Sequence, residues 1–363
     1  MKTPPLISIC IPTFNRGNLI YSNLSKLLQY TGRDLEVVVI DDASPDNTAE
    51  LLESIADPRL VFERNESNLN FVGNFKKVLE RARGDWVFTL SDEDVVSAEI
   101  VKRLANLLSD PGNRDLAVIL GNIRNDEGPY PYYAYHNGSD YVPYKYESRR
   151  FARGDEAVGA LGFHHKYISG ILVRRDCIDW RILGAYSREH SGIAPQVDVY
   201  TRACAKGGGA TVDLDFCIKR VARGQKSFID SASSKSYKNP KNRMVQFKYY
   251  ISLAHELIKD YEVKFRVMAA IYGYYIDEGT YGWHRILNTQ AETEYLFNVV
   301  DDEGYDLKSG VREFHSEAVS FIESVLSSAP NENTHIDRLR SLIGDKLVYF
   351  LGKRGIALEK TPD

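Results

Sequence analysis

Short β-rich runs alternating with amphipathic stretches limit what this chain can fold into more than any other feature of its sequence. Leu6 to Ile11, Leu35 to Ile40, Leu60 to Glu63, Trp86 to Leu90 and Ala117 to Leu120 have the apolar, β-branched composition of strands. Between them, Leu19 to Gln29, Ala49 to Ile55, Val72 to Arg81 and Ala98 to Leu108 place apolar residues at helical spacing. A helix after each strand carries the chain back to the start of the next one. The pattern therefore predicts an α/β fold with a mostly parallel sheet covered by helices.

In open sheets of this kind a ligand sits beyond the carboxyl ends of the strands. Four successive strand ends here carry polar clusters: Pro12-Thr13-Phe14-Asn15-Arg16, Asp41-Asp42-Ala43-Ser44, Arg64-Asn65-Glu66-Ser67-Asn68 and Ser91-Asp92-Glu93-Asp94. Like charges brought together repel and raise one another's pKa, so stability alone does not ask for acidic groups there. A bound cation and a phosphate-bearing ligand remove that difficulty. With Lys+Arg 46 against Asp+Glu 50, the formal net charge is -4, and no global basic field argues for nucleic acid.

From about residue 123 to 150 the periodicity stops, and Tyr130, Tyr132, Tyr133, Tyr135, Tyr141, Tyr144 and Tyr146 crowd a segment with Pro129, Pro131 and Pro143. This reads as a long loop or irregular hairpin, a length that usually serves function. A second α/β passage follows, with Tyr167 to Arg174 as a strand, Pro195 to Lys206 as a helix and Ala210 to Lys219 as a strand. Gly207-Gly208-Gly209 lacks the Lys-Ser/Thr of a phosphate loop and reads as a helix C-cap and turn. Adjacent His164 and His165 point to opposite faces of an extended segment and read as a polar loop pair, not a metal site. Beyond Met244 the runs Phe247 to Tyr261, Val263 to Asp277 and Ala318 to Leu326 are helical. The expected division is an α/β domain over 1–235 and a helical C-terminal domain over 236–363, which leaves oligomerisation through the helical part open.

Taken in order and spacing, Ser8 to Arg16, Val37 to Ser44, Asn68 to Asn74, Gly84-Asp85-Trp86 and Asp92-Glu93-Asp94 make residues 6 to 225 resemble an inverting family 2 glycosyltransferase of the GT-A fold. The resemblance implies that Pro12, Thr13, Phe14, Asn15, Arg16, Asp41, Asn74, Asp92 and Glu93 bind a nucleotide-sugar donor, with UDP the first expectation. Gly73 would let backbone approach the nucleotide. Arg64 either reaches the base or is solvated, and Asp42 and Ser44 start the next turn, with Asp46 or Asn47 near its N-cap. It also implies a divalent cofactor, Mn²⁺ or Mg²⁺, with Asp94 the main metal ligand and Asp92 beside it, near the donor ribose or sugar. An inverting transfer needs a base for the acceptor hydroxyl, and the matching place at the start of a helix holds Asp198. Gln196 and Val197 stand where the family often has an acidic pair. Ser169 and Gly170 resemble the small-residue strand beneath the acceptor sugar, and Tyr130, Tyr132, Tyr133 and Tyr135 offer apolar rings with polar tips for the same sugar. Arg223 to Asn242 stands where related enzymes have a lid over the diphosphate, and reads equally as a solvated linker.

The Gln-x-x-Arg-Trp signature of processive members is missing, which implies transfer of a single sugar. The expected acceptor is a carbohydrate or lipid-linked glycan, in bacterial surface polysaccharide assembly. Two rival classes are a sugar-phosphate nucleotidyltransferase, which typically opens on a glycine-rich basic loop, and a non-catalytic carbohydrate- or nucleotide-binding module. Cys10, Cys177, Cys204 and Cys217 form no Cys-x-x-Cys pair and read as buried free thiols of a reducing compartment. With no recognisable signal or membrane span, the expected location is the cytoplasm, with peripheral contact at the inner face of a membrane left open.

Overall fold

The computed structural model describes residues 4–125, 145–163, 167–185, 194–219, 240–281, 307–327 and 336–353. Strands β1 (Ile7–Thr13), β2 (Leu35–Asp41), β3 (Leu60–Arg64) and β4 (Trp86–Thr89) alternate with helices α1 (Gly17–Leu27), α2 (Thr48–Glu53), α3 (Asn70–Arg81) and α4 (Ala98–Ser109). Each residue of β1 and β2 is buried, as strands covered on both faces require. Helix α3 turns Val72, Phe75, Val78 and Leu79 inward, against β1 and β2. Helix α4 starts at Ser97, whose hydroxyl accepts from the Ile100 N–H at 3.3 Å and so caps the first turn.

The chain continues through β5 (Leu116–Asn125), β6 (Arg149–Phe151), α5 (Asp155–Leu161), β7 (Ile171–Arg174), α6 (Trp180–Ala185), α7 (Pro195–Lys206) and β8 (Gly208–Lys219). The sheet has eight strands in the order β3-β2-β1-β4-β7-β5-β8-β6. Pairs β3/β2, β2/β1, β1/β4 and β5/β8 are parallel, whereas β7 runs antiparallel between β4 and β5, and β6 antiparallel on the edge. The core gathers Ile9, Val37, Val39, Phe88, Leu172 and Phe216, with the rings of Phe88 and Phe216 edge-on at 5.9 Å. Cys10, Cys177, Cys204 and Cys217 are buried and unpaired.

Two expectations need correction. The strand expected over Tyr167 to Arg174 begins only at Ile171, because Gly170 adopts φ +86°, a left-handed turn that breaks the extended run. The glycine triplet makes no turn after the helix: Gly207 is the C-cap of α7, as expected, but is extended (φ −140°, ψ 174°), and Gly208 and Gly209 open β8. These glycines serve close packing instead, since a Cβ at Gly207 would meet the Ala117 Cβ at 2.7 Å and one at Gly209 the Leu161 Cδ1 at 2.3 Å.

The described residues up to 219 fall in one compact unit and those from 240 on in a second. The second unit is helical: α8 (Pro240–Leu257), α9 (Tyr261–Tyr281), α10 (Leu307–Leu326) and α11 (Ile336–Lys353). Its core is aromatic, with Phe247 edge-on to Tyr275 at 5.8 Å and to Phe314 at 5.4 Å. The Tyr272 hydroxyl pairs with His315 Nδ1 at 2.7 Å, so a polar tip is satisfied inside an apolar layer. Among the described residues no helix is long and apolar enough to cross a membrane.

Candidate active site

Parallel register aligns the strand ends. Thr13 pairs with Asp41 across β1 and β2, and Asp41 with Arg64 across β2 and β3. Pro12 and Thr13 close β1 in buried positions, Phe14 is half-buried and Asn15 exposed. Asn15 and Ala43 take φ +58° and +60°, a left-handed backbone that costs a non-glycine residue about 1–2 kcal/mol. Hydrogen bonds hold both turns in that conformation. The Asn15 N–H donates to Ser44 Oγ at 2.8 Å, while the Ser44 hydroxyl and N–H donate to the Asp41 carboxylate.

Asp41 is 0% exposed, and Arg64 Nε also faces its carboxylate at 3.5 Å, while Arg64 Nη2 donates to the Ser44 carbonyl at 2.8 Å. Arg64 thus belongs to this clamp. The Asp42 carboxylate accepts from the Leu69 N–H at 2.7 Å and from Asn65 Nδ2 at 2.8 Å. Asn74 Nδ2 donates to the Ile40 carbonyl at 3.0 Å and Asn74 Oδ1 accepts from Asn65 at 3.2 Å, so this amide ties the ends of β2 and β3 to α3. At Gly73, an added Cβ would meet the Leu69 Cβ at 2.8 Å, so local packing also calls for a glycine there.

The acidic triplet follows β4. Thr13 Oγ1 donates to Asp92 at 2.8 Å, Arg16 Nη1 lies 3.5 Å from Asp92 Oδ1, and the same guanidinium donates to Glu93. Behind them Asp94 is 1% exposed and accepts from Ser169 Oγ at 2.5 Å. Ser169 is itself held by the Ser91 N–H, which donates to its hydroxyl at 2.9 Å. Since β7 is antiparallel to β4, the residues entering β7 arrive beside the residues leaving β4, which is why Ser169 reaches the triplet from 75 positions away. Val95 bridges Ile218 through two bonds of 2.9 Å, fixing the triplet's far end to β8. Burial pushes the Asp92 carboxyl up to about 6 even though Arg16 and Thr13 favour its charge, and pushes Asp94 up to about 7 against the Ser169 bond.

Among the described residues no three His, Cys, Asp or Glu side chains gather as a ready-made metal site. The triplet still fits Mg²⁺ or Mn²⁺ in donor chemistry. Such ions use one or two carboxylates and take their remaining ligands from water and substrate phosphate. Two buried carboxylates pushed toward neutrality, with Arg16 answering Asp92 and Glu93, are a donor set that an added cation relieves.

Asp198 lies in the first turn of α7, a helix packed on β5, β7 and β8 that ends where β8 starts. Its first turn therefore stands toward the edge of the sheet where β1, β2 and β4 end. Asp198 is 1% exposed and its Oδ1 accepts from Arg202 Nε at 3.0 Å, one helical turn on. Sequence reasoning passed over Asn65, Arg202 and Tyr167, the last buried in part beneath Lys219, whose Nζ stands 4.4 Å above its ring. Asn65 and Tyr167 carry no local signal, because their partners come from other elements, whereas Arg202 stands four residues after Asp198, a helical pair spacing that is readable in the sequence. Tyr130, Tyr132, Tyr133 and Tyr135, His164 and His165, and the segment 223–239 lie outside the described residues.

Glycosyl transferase family 2 matches this chain over residues 8–179. Glycosyltransferase GlyG of Streptococcus pneumoniae is 24% identical over 139 residues, 38% of this chain and 45% of that protein. The GalNAc(5)-diNAcBac-PP-undecaprenol beta-1,3-glucosyltransferase of Campylobacter jejuni is 29% identical over 121 residues, 32% of this chain and 38% of that protein. The matched part thus spans less than half the length of either relative. In fold, the chain is similar to residues 1–349 of S. aureus TarS solved with UDP-GlcNAc, at a TM-score of 0.60 and 13% identity over 97% of this chain and 93% of that one. The matched residues include the strand-end clusters and the acidic triplet, so residues 8–179 form a glycosyltransferase family 2 segment, within an N-terminal unit folded as a GT-A domain.

Proposed function

We propose that this glycosyltransferase moves one sugar, with inversion, from a nucleoside diphosphate donor, UDP in the first instance, to a carbohydrate acceptor. The observation that carries the reading is the convergence of Thr13, Arg16, Asp92, Glu93, Asp94 and Ser169 at one edge of the sheet. Pro12 to Arg16, Asp41 and Asn74 shape the nucleotide pocket, with Asp41 and Asn74 acting by holding the loops that line it. Asp94 and Asp92 would hold Mn²⁺ or Mg²⁺, which supplies positive charge to the departing diphosphate. Asp198 takes the proton of the acceptor hydroxyl as that oxygen bonds to the anomeric carbon and the carbon's bond to the diphosphate breaks. Gly170 and the tyrosines at 130, 132, 133 and 135 are assigned to the acceptor side.

The name of the Campylobacter relative specifies an undecaprenol-linked acceptor, which supports a lipid-linked glycan here and surface polysaccharide synthesis as the setting. The UDP-GlcNAc complex of TarS supports UDP. The test is calorimetric titration with a panel of nucleotide sugars, with and without Mn²⁺, on the wild-type chain and on Asp94→Ala. Donor binding that needs Mn²⁺ and disappears in Asp94→Ala is expected. Equal binding by the two proteins overturns the metal assignment, and no binding of any donor overturns the activity.

A further inference from the structure

The triplet has a second support, on the side away from Ser169. A cavity of about 10 Å³ lies between α1 and the segment after β4, room for one water. Its polar lining is Asn23, Ser91, Asp92 and Asp94, and the rest is aliphatic. Asn23 is 6% exposed, and its Nδ2 donates to the Asp92 carbonyl at 2.9 Å. That bond fixes the amide, because the flipped form would set Oδ1 against a carbonyl oxygen. Asn23 Oδ1 is then left buried with no donor, and Asp94 Oδ1 is buried with none within hydrogen-bond distance, its partner oxygen taking the Ser169 hydroxyl while the nearby Tyr167 hydroxyl also favours the carboxylate's charge.

Two residues with an unsatisfied buried acceptor line one small cavity, and each such acceptor costs about 1–3 kcal/mol. A water has two O–H groups, one for each, and Ser91 offers a further polar neighbour on the same wall. A divalent ion does not suit the cavity, since its aliphatic lining cannot supply six or more oxygens.

We propose that Asn23 is a positioning residue for the acidic triplet: its amide holds the Asp92 main chain directly and holds the Asp94 carboxylate through one ordered water in this cavity. A carboxylate has about four acceptor positions, so the Ser169 hydroxyl and the water leave others for a ligand. The triplet is then fixed from both flanks, from the entry to β7 and from α1. The inference rests on the donor reading above for what the triplet binds.

Two measurements test it. A high-resolution crystal structure of the ligand-free chain is expected to show a water within hydrogen-bond distance of Asn23 Oδ1 and Asp94 Oδ1, and a dry cavity overturns the proposal whatever the protein binds. Calorimetry with Mn²⁺ and UDP, beside thermal melting, then compares the wild type with Asn23→Leu and Asn23→Ser. Asn23→Leu deletes the amide and fills the cavity, and is expected to weaken binding by about 10- to 100-fold, the scale of lost support behind a metal ligand, with little change in melting temperature. Asn23→Ser keeps a polar group and room for water, and is expected to recover most of that loss. Unchanged binding in Asn23→Leu, or equal weakening in both variants in step with lowered melting temperatures, overturns the positioning role. A wild type that binds no Mn²⁺ and UDP while its cavity holds the water overturns the donor reading, and the positioning role with it.

Discussion

Replacing Asn65 by alanine tests whether the strand ends are held by the buried amide network. Asn65 is 4% exposed; its Nδ2 donates to Asp42 at 2.8 Å and to Asn74 Oδ1 at 3.2 Å, while its Oδ1 accepts from Lys77 at 2.7 Å. A hydrogen bond to a charged group contributes about 1.5–3 kcal/mol and a neutral one about 1 kcal/mol. Lys77 has Glu63 3.8 Å away as an alternative partner and adds little. Asn65→Ala should therefore cost the N-terminal unit about 2.5–4 kcal/mol. The backbone bond from the Asn65 N–H to the Asp41 carbonyl, at 2.8 Å, survives the change, so the cost belongs to the side chain. Equilibrium urea unfolding measures it as a lower midpoint at constant m; with m of about 2–3 kcal/mol per molar, the midpoint should fall by about 1–2 M. A loss under about 1 kcal/mol, on the scale of a single neutral bond, would show that the network is not what holds these ends.

Other outcomes follow from the same geometry. Asp198→Asn should lower turnover by about 10²-fold with donor affinity retained, read by steady-state kinetics, and near-normal turnover moves the base elsewhere. Asp198→Ala should also destabilise, by about 1.5–3 kcal/mol in thermal or urea unfolding, because it removes a buried charge-assisted bond to the Arg202 guanidinium. Burial raises the Asp42 pKa above its ordinary 3.8, against the bonds from Leu69 and Asn65, so its contribution to stability is full below that value and is lost as pH rises through the raised one. Asp42→Asn, which keeps an acceptor for Leu69, should gain on the wild type as pH climbs from about 4, and a gap in urea midpoints that stays constant refutes this. Gly84→Ala sets a Cβ 2.6 Å from the Ser8 nitrogen and 2.8 Å from the Ile7 carbonyl carbon, and should lower stability by about 1–3 kcal/mol or more in the same assay.

The sequence was most readable where one local pattern decides the structure. Apolar, β-branched runs in β1 and β2, interrupted only near their starts by Ser8 and Glu36, and the helical spacing of Val72, Phe75, Val78 and Leu79 locate strands and helices within a few residues. Pro195 marks the first turn of α7, which runs over Pro195–Lys206 as expected. The acidic triplet is visible for the same reason, being three adjacent residues. Pairing across the sheet leaves no such trace. That β7 enters antiparallel beside β4, and so delivers Ser169 to Asp94, is decided by contacts between segments about 80 residues apart. The six- and seven-residue helices α6 and α5 are too short to establish a period. The polar clusters at the ends of β2 and β3 were visible as composition, but composition does not tell which side chains face ligand and which, like Asp41 and Asn65, turn inward to bind their neighbours.

The cysteines give the fold a selective chemical reporter. All four thiols of the chain lie in the N-terminal unit, and each is buried with its pKa raised chiefly by that burial. A thiol reagent reacts with thiolate, so the folded unit offers it almost nothing to attack. The helical unit, lacking cysteine, is silent to the same reagent. The rate at which alkylating reagent is consumed therefore follows the opening of the N-terminal unit alone, within the full chain and without an introduced label.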